Sequence, residues 1–212
     1  MKKAILFDFD GTLINTNDLI FEAYKIAFKT VLNREPKTEE MLKFYGRPLR
    51  ASMMEYGGAA ERLCDVYRKF NDENHDKMVK GFLGAREGVE ELKKKGYKLG
   101  IVTSKRLHMV ERGLRIIKMD GLFDTIVTPD DTQKAKPDPE PVLCGCSRLG
   151  VSPEDTVYVG DSVFDMESGR RAGTKLCAVT YSLTPQDQLL AFSPEFVVDN
   201  IKVLADNMER VL

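Results

Sequence analysis

Lys3 to Asp10 is an apolar, β-prone run that stops abruptly at two acids and a glycine, the pattern of a buried strand ending in a loop. From Asn17 to about Val31 the period changes. Leu19, Ile20, Ala23, Ile26, Ala27 and Val31 recur at helical spacing, with Asn15, Thr16 or Asn17 available as N-cap. Further helices are predicted near 38–45, 49–56 and 59–79, punctuated by Pro36, Gly46, Pro48 and the Gly57-Gly58 pair, with no strand among them. Beyond Gly81 helix and strand alternate: helices over 86–95, 106–117, 139–149 and 163–172, strands over 97–103, 124–128, 156–160 and 175–180. An edge strand over 195–198 and a closing helix over 200–211 complete the predicted pattern.

Alternation of this kind is the rhythm of a parallel sheet with crossover helices. The expected fold is therefore α/β, a Rossmann-like core of residues 1–15 and 82–212 interrupted by an α-helical insertion over 16–81. Such sheets bind ligands at the carboxyl ends of their strands, so an insertion rooted just after Asp8 to Thr12 is placed to cover the site.

Composition narrows the function classes. With 212 residues, 42% of them hydrophobic and 31% charged, the chain can bury a full core, and disorder is excluded. A formal charge of -1 advertises no nucleic-acid partner. The apolar run at the N-terminus meets Asp8 before reaching signal-peptide length, and no stretch is long enough to span a bilayer, so a cytoplasmic location is expected. Cys64, Cys144, Cys146 and Cys177 lack metal-ligand spacing and read as reduced structural thiols. His75 and His108 stand alone and read as solvated helix residues.

Four segments carry candidate chemistry. In Asp8-Phe9-Asp10-Gly11-Thr12 two carboxylates at i and i+2 project to one side of an extended chain, where they repel unless a hard cation such as magnesium neutralises them. Gly11 lets the following turn close against a phosphate. A calcium loop is rejected: the glycine comes two positions early, a strand precedes instead of a helix, and residue 19 is Leu rather than Glu. In the second segment a strand ends in two hydroxyls and a cation, Thr103-Ser104-Lys105; the hydroxyls and the free backbone N–H groups at this junction suit phosphate oxygens, although Thr and Ser taken alone are more often helix caps. In the third, Lys136 precedes Pro137 and Pro139, which fix its direction, with Lys134 the surface alternative. The fourth is the apolar strand Val157-Tyr158-Val159-Gly160, which runs into Asp161 and, one helical turn later, Asp165. Asp161 can ligate a metal while Asp165 supports its ligand shell.

Acid pair, hydroxyl, lysine and acid pair at four strand tips in this order resemble the four motifs of the haloacid dehalogenase superfamily. The resemblance implies Asp8 as nucleophile, Asp10 as general acid/base, Thr103 as phosphate-binding hydroxyl, with Ser104 beside it, and Lys136 as charge balancer. It further implies a magnesium cofactor held by Asp8, Asp10 and Asp161 with Asp165 behind them, and a small phosphorylated substrate. The helical insertion looks like the small cap of the phosphoglycolate phosphatase, pyrophosphatase and β-phosphoglucomutase branches. Asp10 disfavours carbon–halogen hydrolysis, because the dehalogenases that resemble this chain lack an acid there. Leu13-Ile14-Asn15-Thr16-Asn17 looks more like the pyrophosphatase members than the Leu-Val-Asp-Ser of other branches, while the cap turn Phe44-Tyr45-Gly46-Arg47-Pro48-Leu49 is similar to both types. Arg47, fixed between Gly46 and Pro48, is expected to contact the part of the substrate that is not transferred. Two other classes are open to the same motifs: a phosphomutase that returns the phosphoryl group to a sugar, and a phospho-acceptor switch. Asp10 and the cap argue against the switch, since both serve rapid turnover in a shielded site.

Overall fold

The computed structural model describes residues 3–208. Ala4–Phe7 (β1) is buried throughout, and Ile14–Asn15 (β2) leads into four helices, Asn17–Leu32 (α1), Thr38–Phe44 (α2), Leu49–Met53 (α3) and Ala60–Met78 (α4). Lys80–Gly81 (β3) returns the chain, followed by Ala85–Lys94 (α5), Lys98–Val102 (β4), Leu107–Ile116 (α6), Thr125–Val127 (β5) and Glu140–Leu149 (α7). Thr156–Gly160 (β6), Val163–Ala172 (α8), Lys175–Val179 (β7), Gln186–Leu190 (α9), Phe196–Val198 (β8) and Ile201–Asn207 (α10) complete it. The expected closing helix is thus present from Ile201, while residues 209–211 of that expectation lie outside the described part. The short α9 has no counterpart in the sequence pattern.

Six strands form one parallel sheet in the order β5-β4-β1-β6-β7-β8. Alternation along β1 divides the core. Ile5 and Phe7 pack with Val157, Val159, Val89, Leu92, Val110 and Leu204 on one face, and Ala4 and Leu6 with Tyr158, Val142 and Cys146 on the other. The chain leaves β1 toward β4 on one side and comes back to β6 on the other, so the crevice at the carboxyl end of β1 is the topological switch point.

The insertion has its own apolar cluster, including Tyr24, Phe28, Phe44, Met53 and Leu63. The buried stripe of α1 is Leu19, Ala23, Tyr24, Ala27 and Phe28, rotated from the predicted one so that Ile26 is exposed. The aromatic rings, with more area to bury, set the face. At the root of the insertion, where the pattern shows no strand, β2 and β3 pair antiparallel through Ile14–Gly81 and Asn15–Lys80. Two-residue strands carry too little period to be read from sequence.

His75 corrects an expectation. It is fully buried, because α4 packs against α6 there, with Arg112 bonded to the Asp76 carboxylate (2.6 Å) and the Asp72 carbonyl (2.9 Å). Burial pushes its imidazole below the usual range against the pull of Asp76. His108 is exposed as expected, and all four cysteines are free thiols, Cys64, Cys146 and Cys177 buried. No helix among the described residues is long and apolar enough to cross a membrane.

Candidate active site

Four chain segments meet at the switch point. Asp8 directly follows β1, its backbone N–H donating to the Val159 carbonyl at 2.8 Å, so the tip of the central strand is tied to its neighbour. Thr103 follows β4, and Asp161 follows β6. Lys136 comes from the loop between β5 and α7 and is only 5% exposed. Its ammonium donates to Asp165 Oδ1 at 2.6 Å, Asp8 Oδ1 at 2.8 Å and the Tyr158 hydroxyl at 3.2 Å. Burial works against that charge, but Asp165 and Asp8 outweigh it and hold Lys136 well above its ordinary range.

The carboxylates are unevenly satisfied. Both oxygens of Asp165 are occupied: Oδ1 accepts from Lys136 and Tyr158, and Oδ2 from the Ser162 hydroxyl (2.6 Å) and backbone N–H (3.1 Å) in a capping box that starts α8. The Asp161 carboxylate accepts from Thr12 Oγ1 at 3.1 Å, and among the described residues its buried Oδ2 has no hydrogen-bond partner. Burial drives the Asp161 carboxyl well above the carboxylate range, with Asp165 and Asp8 adding to the shift. Burial likewise pushes Asp8 up to about 7 against the pull of Lys136.

An orphaned buried carboxylate oxygen is costly, and its natural partner is a cation. One oxygen each from Asp8, Asp161 and Asp165 lies within 4.8 Å of the others. This all-oxygen donor set fits a hard divalent ion, with Asp8 and Asp161 as the available ligands and Asp165 too committed to Lys136 and Ser162 to be more than support.

Asp10 stands apart from that cluster. Its Oδ1 accepts from Lys105 Nζ at 2.7 Å and Thr16 Oγ1 at 2.9 Å, and it does not share the oxygen group formed by the other three acids. The expectation that its carboxylate points with that of Asp8 assumed an extended chain. β1 ends at Phe7, and Asp10 already belongs to a turn that bridges to Ile14. That turn depends on Gly11, which has φ +83°, and a Cβ there would lie 2.1 Å from Asp161 Oδ2 and 2.5 Å from the Tyr45 hydroxyl.

Thr103 is buried, its hydroxyl accepting from the Lys105 backbone N–H at 3.1 Å, and Ser104 lines the same cavity. The cavity, about 330 Å³, is walled by Asp8, Asp10, Lys136 and Asp161 below and by Tyr24, Phe44, Tyr45 and Arg47 of the insertion above. Arg47 does line it, but its guanidinium is also bonded to Glu55 at 2.8 Å.

Three contributors were not assigned from sequence. Tyr45 seats the insertion on the site, its hydroxyl donating to Asn17 Oδ1 at 3.0 Å beside Gly11, and at the neighbouring Gly46 (φ +76°) a Cβ would collide with Ser162. Tyr158 was visible as a tyrosine in an apolar strand, whose buried hydroxyl must find a partner. Thr12, which bonds Asp161, had no signal beyond its place in the first motif.

A family model described as haloacid dehalogenase-like hydrolase matches residues 5–179. A Clostridium perfringens (strain 13 / Type A) protein is 45% identical over 212 residues, covering 100% of this chain and 99% of its own. The pyrophosphatase PpaX of Bacillus mycoides (strain KBAB4) is 39% identical, with 98% of this chain and 97% of that protein covered. Among solved structures, a haloacid dehalogenase-like family hydrolase of Streptococcus pneumoniae superposes with a TM-score of 0.85 at 25% identity, covering 97% of this chain and 98% of that one. With its four motifs gathered at one strand edge and these relatives along its whole length, the chain belongs to the haloacid dehalogenase-like hydrolases and is an enzyme of their phosphatase type.

Proposed function

We propose that this enzyme is a magnesium-dependent phosphohydrolase for a small diphosphate or phosphate monoester, with pyrophosphate the leading candidate, acting through an aspartyl-phosphate on Asp8. The observation that carries the proposal is the Asp8 carboxylate at the floor of the cavity, pinned by Lys136 and flanked by an Asp161 oxygen with no hydrogen-bond partner among the described residues. Relatives named as pyrophosphatases, and the cations of the cavity wall, favour pyrophosphate.

In this mechanism Lys136 fixes the attacking oxygen and offsets charge as the phosphoryl group arrives. Thr103, Ser104 and the backbone after Gly11 hold phosphate oxygens. Asp10 protonates the leaving oxygen and then removes a proton from the water that releases phosphate from Asp8. Asp8 and Asp161 would hold a magnesium ion, with Asp165 in support, and the ion would supply positive charge to the phosphate oxygens. Residues 16–81 act as a cap, with Tyr45 and Gly46 closing over the loop at Asp161–Ser162. The phosphomutase and switch readings separate in one experiment, phosphate release from a panel of monoesters and pyrophosphate. Failure to release phosphate from any member would sink the hydrolase reading.

Removing divalent ions with a chelator should abolish turnover, and magnesium should restore it. Calcium, larger and less strictly octahedral, should restore it poorly. Magnesium should also raise the Tm, an effect lost in Asp161→Asn because binding to the folded state alone stabilises it. Turnover that persists through thorough chelation would exclude the metal.

We also propose that Arg47 meets the non-transferred group from the cap side. Arg47→Ala should lower kcat/KM roughly ten- to a hundredfold more for pyrophosphate than for an aryl phosphate without a second anion, the value of one charged hydrogen bond. Equal losses on both substrates would show that Arg47 selects nothing.

A further inference from the structure

We infer that Lys105 is the core-side determinant for a second anion on the substrate, and that it works by exchanging partners: it holds Asp10 in the free enzyme and takes the anion in the complex. The inference rests on the diphosphate reading above and extends it to a residue that the four motifs do not assign.

Lys105 lines the reaction cavity, and its side chain is only 12% exposed, so its charge must be met by something within the site. In the structure that partner is Asp10 Oδ1, at 2.7 Å. The other cavity cations are committed elsewhere. Lys136 is shared by Asp8, Asp165 and Tyr158, Arg47 is bonded to Glu55 and Arg50 to Glu61, Arg106 faces Asp72 at 3.7 Å and Arg68 faces Asp65 at 4.0 Å. Asp10, by contrast, does not depend on Lys105 for its position. The same Oδ1 accepts from Thr16 Oγ1 at 2.9 Å, so the carboxylate remains oriented when the ammonium leaves.

The root of Lys105 is equally well placed. Its backbone N–H is anchored on Thr103 Oγ1, which fixes the start of the side chain at the phosphate-binding strand tip. Beyond that root, four flexible carbons can carry the ammonium from Asp10 toward a group beyond the transferred phosphate. The desolvation cost of a mostly buried ammonium–carboxylate pair offsets much of its Coulombic gain, whereas a multiply charged phosphate offers stronger charge-assisted bonds. A diphosphate therefore recruits Lys105 and, in doing so, releases Asp10 toward the leaving oxygen. A monoester of a neutral alcohol leaves Lys105 where it is.

The test is a binding measurement on the magnesium-loaded full chain with two non-hydrolysable probes, methylenediphosphonate and methylphosphonate. The wild type should prefer the diphosphonate, and Lys105→Met should reduce the ratio of the two affinities roughly ten- to a hundredfold. Lys105→Arg, which keeps the charge, should retain most of that ratio. A general loss of site structure would weaken both probes together and leave the ratio unchanged, and that result overturns the inference. An unchanged ratio with no weakening at all overturns it equally. If Lys105→Met does not fold, Lys105→Gln carries the same comparison. Pyrophosphate turnover by the wild type is a separate measurement: its absence would refute the diphosphate preference while the probe ratio still decides the role of Lys105.

Discussion

Asp8→Asn should lower turnover at least about ten-thousandfold, because the proposed mechanism needs an anionic carboxylate to attack phosphorus and a neutral amide is a far poorer nucleophile; nucleophile deletions elsewhere cost that much or more. The fold should survive the change. The backbone N–H of residue 8 still bonds the Val159 carbonyl, the amide is close to isosteric with the carboxylate, and Lys136 keeps Asp165 at 2.6 Å. A carboxyl that burial pushes up to about 7 is also a poor candidate for a structural charge. Acid-quenched wild-type enzyme should carry an acyl-phosphate that hydroxylamine removes, mapped by mass spectrometry to the peptide containing Asp8. A phosphoryl group on any other residue, or a variant with substantial turnover, would refute the assignment.

Lys136→Met should be the most destabilising single change in the site, costing on the order of 3–5 kcal/mol, since breaking a buried ion pair by removing one partner strands the other. Here it strands two, Asp8 and Asp165, beside Asp161, whose Oδ2 already lacks a bond. The pH dependence has a defined sign. A buried carboxyl with a raised pKa binds a proton in the folded state that the unfolded chain has already lost, so folding is favoured as pH falls between the two values. For Asp8 that window runs from 3.8 to about 7 in the native protein, and loss of the ammonium should widen it upward. The deficit of Lys136→Met, measured by urea unfolding in the presence of chelator, should therefore be largest near pH 8 and shrink toward pH 5. A deficit that grows on acidification would mean that Lys136 does not offset the buried carboxylates.

Much of this site was legible because its chemistry sits at the ends of strongly apolar strands. Val157-Tyr158-Val159-Gly160 running into Asp161, and Ala4 to Phe7 running into Asp8, each announce a buried strand and then an acid that burial alone would not tolerate. The prolines around Lys136 marked it in the same way. The directions of Asp10 and Lys105 were not legible. Neighbours in sequence suggest that Asp10 joins Asp8 and that Lys105 joins the hydroxyls before it, yet the two meet each other at 2.7 Å across ninety-five positions of chain. His75 shows the same limit, because whether a helical histidine faces water depends on what packs against that helix, here α6.

The sequence by itself determined the order of strands and helices, the helical insertion and the four segments that carry acid, hydroxyl and lysine, because hydrophobic period and local chain stiffness act over only a few residues. The tertiary structure decided what those groups do to one another. The parallel order places β1 between β4 and β6, which is what brings Asp8, Thr103 and Asp161 to one crevice. The packing of the insertion against the core puts Tyr45 and Arg47 in its wall. The division of labour among the acids follows from those contacts: Asp165 is saturated by Lys136, Tyr158 and Ser162, Asp10 is held by Lys105 and Thr16, and Asp161 is left with an oxygen to spare. Charge and hydrogen bonding act through space over a few ångströms, and only the folded chain sets those distances.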